Sequence, residues 1–210
     1  MKDSKVLEFL YQEKASPFLK KTKLIIYKAK TQDESIIEGI IKEIYSNVVI
    51  INISDYSVCF IGGKYDVDIH NLFITISDDL GYEIYVHDGI YINQDIKAQD
   101  ILDYVNIYIN SNKSINMDIA ELALQAKRED YFKLLDIIGR SNFTYLYKDT
   151  QTIDIVEALF KNNLNVLQTS KFLYLHRNSI LNKIDIIYKE TGLNIQKFTN
   201  ASLVKQILKK

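Results

Sequence analysis

The apolar residues of the first half of the chain follow two periods, one typical of helices and one typical of strands. Apolar positions recur every three or four residues in 2–13, 33–45 and 69–80, which predicts three helices. Asp88-Gly89 is a two-residue hairpin signal and predicts a turn between two short strands. The predicted strands are 24–27, 47–53, 57–61, 82–87 and 90–93. After the first helix, the order is β-α-β-β-α-β with a terminal hairpin. That order predicts an α+β domain whose helices lie on one face of an antiparallel sheet.

From about residue 97 onward, the apolar positions have helical spacing alone. One apolar stripe starts at Ile101, and a second runs from Ile119 to Ile138. We expect the second stripe to form the seam of a dimer. Residues 139–149 have no clear period and predict an irregular segment or a short strand at a domain boundary. The predicted domains are an α+β regulatory domain at 1–95, a helical connector and dimerisation region at 96–149, and an all-α domain at 150–210.

The composition is that of a globular protein. Of the 210 residues, 47% are hydrophobic and 25% are charged, which excludes disorder over most of the chain. No apolar stretch approaches the length of about 20 residues that a membrane helix needs, and residues 1–13 show no signal-peptide pattern. We therefore expect a cytoplasmic protein without a membrane partner. Its one cysteine, Cys59, lies in an alternating apolar segment and is interpreted as an inert core thiol.

Charge is distributed unevenly, although the net charge is only −1. Residues 151–210 hold nine basic and four acidic side chains, a net charge of +5, and the rest of the chain has a net charge of −6. A basic C-terminal quarter on an acidic body is typical of a nucleic-acid-binding part, and equally of a solvated basic tail. Few of the 26 basic residues are arginines. In such a composition an arginine is less often incidental than usual, which makes Arg177 in this quarter a candidate for a specific role.

Sequence motifs of metal and nucleotide chemistry are missing. The three histidines, His70, His87 and His176, have no ligand partner at a spacing of three or four residues. Glycine-rich phosphate loops and nucleophile elbows are also absent. His87-Asp88 is interpreted as the end of a strand and a turn rather than as a metal-binding pair. The sequence therefore predicts no metal site, no cofactor and no enzyme activity.

The basic quarter has the pattern of short helices joined by a tight turn. A first helix ends at Asn162-Asn163, and a second begins after Asn165 as its N-cap. A third helix runs from about His176 to Glu190, and a fourth is predicted over 200–208. Two short helices and a tight turn before a longer basic helix form a helix-turn-helix. A generic three-helix bundle would have the same apolar pattern, so the pattern alone leaves both alternatives open.

Nine polar or basic residues of this segment are candidate DNA contacts. Residues at the start of the third helix would face base edges in the major groove, where Arg pairs with guanine and Asn with adenine. These candidates are His176, Arg177, Asn178, Ser179 and Asn182. The candidates for phosphate contacts are Thr169, Lys171 and Lys183, with Asn165 as a further DNA-binding candidate at the start of the second helix.

The residues of this segment also follow a known pattern. It consists of Asn165-Val166, Thr169-Ser170, Leu173, His176-Arg177-Asn178-Ser179-Ile180, Lys183-Ile184 and Ile187, closed by Thr191-Gly192-Leu193. With these residues, about 152–195 resembles the C-terminal helix-turn-helix of PucR/CdaR-type bacterial transcription regulators, whose fold is similar to that of the bacterial factor for inversion stimulation. The departures, such as Ser170 for alanine and Lys183 for arginine, keep the core shape and the charge. The resemblance implies a sequence-specific DNA-binding regulator.

The upstream half is similar to the degenerate GGDEF-like module that precedes this helix-turn-helix in such regulators. Where a nucleotide cyclase would carry Gly-Gly-Asp/Glu-Glu-Phe in a hairpin, this chain has Ile53-Ser54-Asp55-Tyr56-Ser57. The acidic pair that would hold two metal ions over GTP is missing there, and Asp55 is interpreted as a turn residue. The resemblance therefore implies a regulatory domain without cyclase activity.

Three hypotheses remain from the sequence. The leading one is a transcription regulator that binds double-stranded DNA as a homodimer, with a small-molecule effector left open as a further partner. The second is an interaction or scaffold protein that keeps the helical shape without binding DNA, against which Arg177 argues. The third is a nucleotide-handling enzyme based on residues 1–95, against which the missing acidic motif argues.

Overall fold

The computed structural model describes residues 3–18, 21–30, 34–63, 69–111, 117–144, 146 and 149–209, and for His70 the backbone alone. The chain divides into two compact units. We call Met1–Gln125 the sheet unit and Ala126–Lys210 the helical unit. The described part contains a five-stranded sheet and ten α-helices, which confirms a mixed α+β protein with a helical C-terminal part.

The sheet unit holds all five described strands and half of the described helices. Its strands are β1 (Thr22–Ala29), β2 (Val48–Ile53), β3 (Tyr56–Gly62), β4 (Ile84–Ile92) and β5 (Met117–Asp118). Its helices are α1 (Asp3–Gln12), α2 (Glu34–Ile44), α3 (Ile69–Leu80), α4 (Ala98–Asn110) and α5 (Ile119–Gln125). The strand order across the sheet is β2-β3-β1-β4-β5, with β5 parallel to β4 and the other pairs antiparallel. From β1 to β4 the predicted order β-α-β-β-α-β is confirmed.

Helices cover both faces of the sheet, so the prediction that they lie on one face is wrong. On one face, Ile25 and Tyr27 of β1 join a core with α2 and α3, where the rings of Tyr27 and Phe73 lie 5.1 Å apart. The neighbouring positions of β1 point to the other face and are also buried. There, the ring of Tyr108 in α4 stacks on His87 of β4, with the ring centroids 4.5 Å apart. Because β1 is central and buried on both sides, its short apolar run could not show which face was covered.

The core residues of the sheet confirm one sequence interpretation and correct another. Cys59 is 1% exposed, and burial raises the pKa of its thiol, as expected of an inert core residue. His87 does not end a strand: it lies inside β4, where Nδ1 donates to Met117 O at 2.8 Å and Nε2 accepts from the Tyr104 hydroxyl at 2.8 Å. Burial lowers the pKa of His87 to about 4, so the ring is neutral near neutral pH.

The predicted hairpin at Asp88-Gly89 is wrong, because β4 continues through both residues. At this point the pairing between β1 and β4 shifts register at Lys23 and Ile25. A Cβ on Gly89 would lie 2.8 Å from Leu24 O, closer than real Cβ contacts allow. Gly89 therefore allows the backbones of β1 and β4 to approach closely where their pairing is irregular. Such a close approach is a common reason for a glycine inside a strand.

The helical unit contains the remaining helices. They are α6 (Arg128–Asn142), α7 (Thr150–Lys161), α8 (Val166–Phe172), α9 (Arg177–Thr191) and α10 (Phe198–Leu208). The three helices and the fourth predicted for this part of the sequence are confirmed. The core is formed by buried residues of all five helices, and α6 packs on α10. Asn142 at the end of α6 donates its side-chain amide to Thr191 O at the end of α9, at 2.6 Å.

The apolar stripe from Ile119 to Ile138 is not an exposed seam. Ile119 and Leu122 are buried in the sheet unit, and Leu134 and Ile138 are buried in the helical unit, each at 2% exposure or less. Side chains already buried within one chain cannot also form a dimer contact, so the predicted seam is wrong. Residues 139–142 are not irregular either, since α6 continues to Asn142, whereas the described residues among 143–149 lie in no α-helix or strand. Of the predicted connector, α4 and α5 lie in the sheet unit and α6 in the helical unit.

Candidate nucleic-acid interface

The segment from α8 to α9 has the geometry of a helix-turn-helix. Asn165 begins α8 as its N-cap, with Oδ1 accepting from the backbone N–H of Gln168 at 3.0 Å. The chain leaves α8 through Tyr174, whose φ of 54° lies in the left-handed region, and Leu175 N–H donates back to Ser170 O at 2.9 Å. The bond from Leu175 to Ser170 closes a tight turn of four residues, 173–176, before α9 starts at Arg177.

His176 is the N-cap of α9. Its Nδ1 accepts from the backbone N–H of Asn178 at 3.2 Å. A nitrogen that accepts this bond carries no proton, so the neutral ring must carry its proton on Nε2. The side chain is exposed, and in the described part of the chain no hydrogen-bond partner of Nε2 was found. His176 therefore shapes the start of α9 and still presents a donor outward.

One side of α9 is buried and the opposite side is exposed. Ile180, Ile184 and Ile187 are at most 3% exposed and hold the helix on the core. At about 100° per residue, the opposite side carries Asn178, Asn182, Asp185 and Lys189, and all four are exposed. Asp185 and Lys189 were not among the predicted contacts, although the helical period from Asn182 could have identified them.

Lys183 is directed to a carboxylate of its own unit. Its Nζ lies 2.7 Å from Asp149 Oδ2, and the two side chains are 22% and 21% exposed. Asp149 is also the N-cap of α7, where it accepts from Thr152 N–H at 3.2 Å and from the Thr152 hydroxyl at 2.7 Å. The bond from Lys183, followed by those from Thr152, lowers the pKa of Asp149 to about 2. In this arrangement the ammonium group of Lys183 is bound by a carboxylate of the protein itself.

Residues 152–208 match the family described as the PucR C-terminal helix-turn-helix domain. Residues 152–208 of the helical unit are therefore similar to a PucR-type helix-turn-helix domain, and the term PucR-type domain refers below to this matched segment. The match includes α10 and so extends beyond residues 152–195, over which the motif residues resemble the family.

Two further similarities concern single proteins. A protein named "Leucine-rich protein" from Streptococcus dysgalactiae subsp. equisimilis is 30% identical over 73 residues, which are 35% of this chain and 26% of that protein. The aligned part of this chain thus spans only about a quarter of that relative. A solved structure of a regulator of polyketide synthase expression from Bifidobacterium adolescentis aligns over 90% of this chain and 79% of its own, with 15% identity and a TM-score of 0.42.

Thr169 does not belong to the exposed surface of the PucR-type domain. Its side chain is 0% exposed and lies on the buried side of α8, together with Ser170. The Thr169 hydroxyl is buried without a hydrogen-bond partner among the described residues. A side chain without accessible surface cannot contact a phosphate, so this predicted contact is wrong. Its position four residues before Leu173, on the apolar side of the helix, is the signal that could have shown it.

Arg177 occupies the first turn of α9 in the PucR-type domain and is exposed. A structural role for Arg177 would be an ion pair with Glu157 or Asp185, the acidic residues of α7 and α9 that could face it. Within the described ranges, no carboxylate was found within salt-bridge distance of Arg177. The guanidinium is therefore available to a ligand on the outside of the domain.

The remaining candidates lie on the exposed surface of the domain. Ser179 is exposed on α9, Lys171 on the last turn of α8, and Asn165 beside its own capping bond. Two exposed aromatic side chains that were not among the predicted contacts lie within three residues of Lys171 in the chain. They are Phe172, 54% exposed, and Tyr174, 96% exposed.

Neither a metal cluster nor a membrane helix was found in the described part of the chain. Within these ranges, no three His, Cys, Asp or Glu side chains lie close enough together to hold a metal ion. None of the described helices has the length and hydrophobicity needed to cross a membrane.

Proposed function

We propose that this protein is a sequence-specific DNA-binding transcription regulator that inserts α9 into the major groove. The observation that carries the proposal is the exposed start of α9, where Arg177, Asn178 and Asn182 stand outside a buried isoleucine row within a PucR-type domain. The start of the second helix of a helix-turn-helix is the part that meets base edges. The net charge of +5 in residues 151–210 supports an anionic ligand.

The exposed side chains have the chemistry that base recognition needs. Arg177 can donate two hydrogen bonds to guanine, and Asn178 or Asn182 can pair with the edge of adenine. Lys171 on α8 suits a phosphate of the flanking backbone, as does the amide of Asn165. His176 can donate from Nε2 to a phosphate or to a base acceptor, and Ser179 can bond to either.

Further parts of the proposal concern assembly and the sheet unit. A single helix-turn-helix covers few base pairs, so we propose that two copies of the chain bind DNA together as a homodimer. We propose that residues 1–95 form a degenerate GGDEF-like regulatory domain without enzyme activity. The order β-α-β-β-α-β supports this, as does the β2–β3 turn, where Asp55 pairs with Lys28. A small-molecule effector is a candidate ligand of this domain. We also propose a cytoplasmic location, because a bacterial regulator of this kind would meet its DNA there.

Selection of duplexes from a random pool tests the proposed function directly. The full chain should enrich one sequence pattern, and binding to the enriched duplex should be compared with binding to a random duplex. We expect Arg177→Ala to weaken binding to the enriched duplex by roughly 1–3 kcal/mol, since a bidentate guanine contact would be lost. Its melting temperature should stay unchanged, because the side chain is exposed.

Arg128→Ala is the matched control. Arg128 is an exposed arginine at the start of α6, outside the segment that matches the PucR family. This variant should bind both duplexes as the wild type does. If no pattern is enriched, or if both arginine variants lose the same affinity for both duplexes, sequence-specific recognition by α9 is wrong.

A further inference from the structure

We propose that Lys183 is a positioning residue: its ion pair with Asp149 fixes how α9 is held against the start of α7, and Lys183 does not itself contact DNA. The inference rests on the proposed function, because it concerns the helix that would enter the groove. It also assigns a role to Asp149, which is not one of the nine candidate DNA contacts.

Three bonds converge on Asp149. Its Oδ2 accepts from Lys183 Nζ and from the Thr152 hydroxyl, both at 2.7 Å, and its Oδ1 accepts from Thr152 N–H at 3.2 Å. One carboxylate thus caps α7 and binds a side chain from the second turn of α9. The beginnings of the two helices are therefore tied to the same group.

The position of Lys183 around α9 supports the same conclusion. It lies three residues from Ile180 and four from Ile187, both 0% exposed, and so projects from the edge of the buried side. The exposed side, with Asn178 and Asn182, faces away from it. To reach a phosphate, Lys183 would have to leave Asp149, and the half-buried carboxylate would lose its cation.

Variants that remove one charge at a time distinguish positioning from contact. Lys183→Met removes the ammonium and keeps a long apolar chain. Asp149→Asn removes the charge and keeps the N-cap, since Asn is as good a capping residue as Asp. The double variant and Lys183→Arg complete the set. Lys171→Met is the matched control, because Lys171 is an exposed lysine of α8 that is expected to meet a phosphate.

Binding of the full-chain variants to the enriched duplex is measured over a series of salt concentrations. For a positioning role, Lys183→Met and Asp149→Asn should each weaken binding by about 3- to 10-fold, and the double variant should be no weaker than the weaker single one. The slope of log affinity against log salt should stay unchanged in both, whereas Lys171→Met should reduce its magnitude by about 0.9. Lys183→Arg should restore binding.

Other results would overturn the proposal. If Lys183→Met reduces the slope by about 0.9 and Asp149→Asn binds as tightly as the wild type or tighter, Lys183 contacts a phosphate. If both single variants bind like the wild type, the ion pair does not position α9. If the wild type binds no duplex, the proposed function fails instead. The backbone amide NMR shifts of Asn178 and Asn182 then decide: shifts that move in Lys183→Met support positioning, and unmoved shifts refute it.

Discussion

Two polar side chains of the helix-turn-helix both stabilise the fold and expose a polar atom. Asn165 and His176 each use one atom to cap a helix and leave another atom on the surface. Lys183, by contrast, uses its only polar group within the domain, and Thr169 has no surface at all. In the sequence all four are polar or basic residues of one motif, so only the direction of each side chain separates the residues that could contact DNA from those that support the fold.

The capping role of His176 leads to a prediction at this scale. His176→Ala should lower the free energy of unfolding by about 0.5–1 kcal/mol, because the N–H of Asn178 loses its acceptor. His176→Ser should keep most of the stability, since Ser is a preferred N-cap. Urea unfolding of the two variants measures the difference. Equal stability of the two variants would show that the cap contributes nothing.

Binding by the same two variants separates the two functions of the side chain. Both lack the imidazole Nε2, so both should bind the enriched duplex more weakly than the wild type if this atom donates to DNA. A variant with Ser that binds like the wild type would limit His176 to its role in starting α9.

At the scale of single elements, the helices followed the apolar period closely and the last long strand did not. α2 and α3 lie within a residue or two of the predicted ranges. β4 was predicted as two strands because Asp88-Gly89 is a common turn sequence. In the fold, Lys23 Nζ lies 2.7 Å from Asp88 Oδ1 and donates to Gly89 O at 2.7 Å. Both contacts join β1 to β4 at the point where their register shifts.

Two glycine substitutions test this account of β4. Gly89→Ala should lower the free energy of unfolding by about 1–3 kcal/mol, because the new Cβ would meet Leu24 O at 2.8 Å. Gly39→Ala is the control: Gly39 lies inside α2, and a Cβ there meets nothing within 4 Å. That variant should be more stable by about 0.5–1 kcal/mol. Chemical denaturation of both variants checks the signs, and a stabilised Gly89→Ala would contradict the close approach.

At the scale of the whole molecule, the boundary between the two units lies between Gln125 and Ala126. It does not lie after residue 138, where the helical spacing of apolar positions ends in the sequence. α6 belongs to the helical unit, where it packs on α10 and where Asn142 binds the carbonyl at the end of α9. α6 also supplies four buried apolar side chains, Leu134, Leu135, Ile137 and Ile138. The PucR-type domain of 152–208 therefore has a structural partner in the preceding helix.

Two fragments test this dependence. Residues 126–210 should fold cooperatively, with a sharp thermal transition in circular dichroism. Residues 150–210 should melt at a lower temperature or without a sharp transition, because each lost Leu or Ile contributes about 1.5–3 kcal/mol of burial. Equal melting temperatures of the two fragments would show that α6 is not needed, and would favour the predicted boundary at 149/150.

The sequence by itself determined the type and order of most elements, the helix-turn-helix and the polar start of α9. These features depend on neighbours within about four residues, where period, caps and turn residues act directly. Tertiary structure alone decided that helices cover both faces of the sheet, that the stripe from Ile119 to Ile138 is buried, and that β4 runs through Gly89. It also decided that Lys183 meets Asp149, 34 residues away in the chain. Such pairings depend on which surfaces come together in space, and an apolar or charged position in a sequence does not specify its partner.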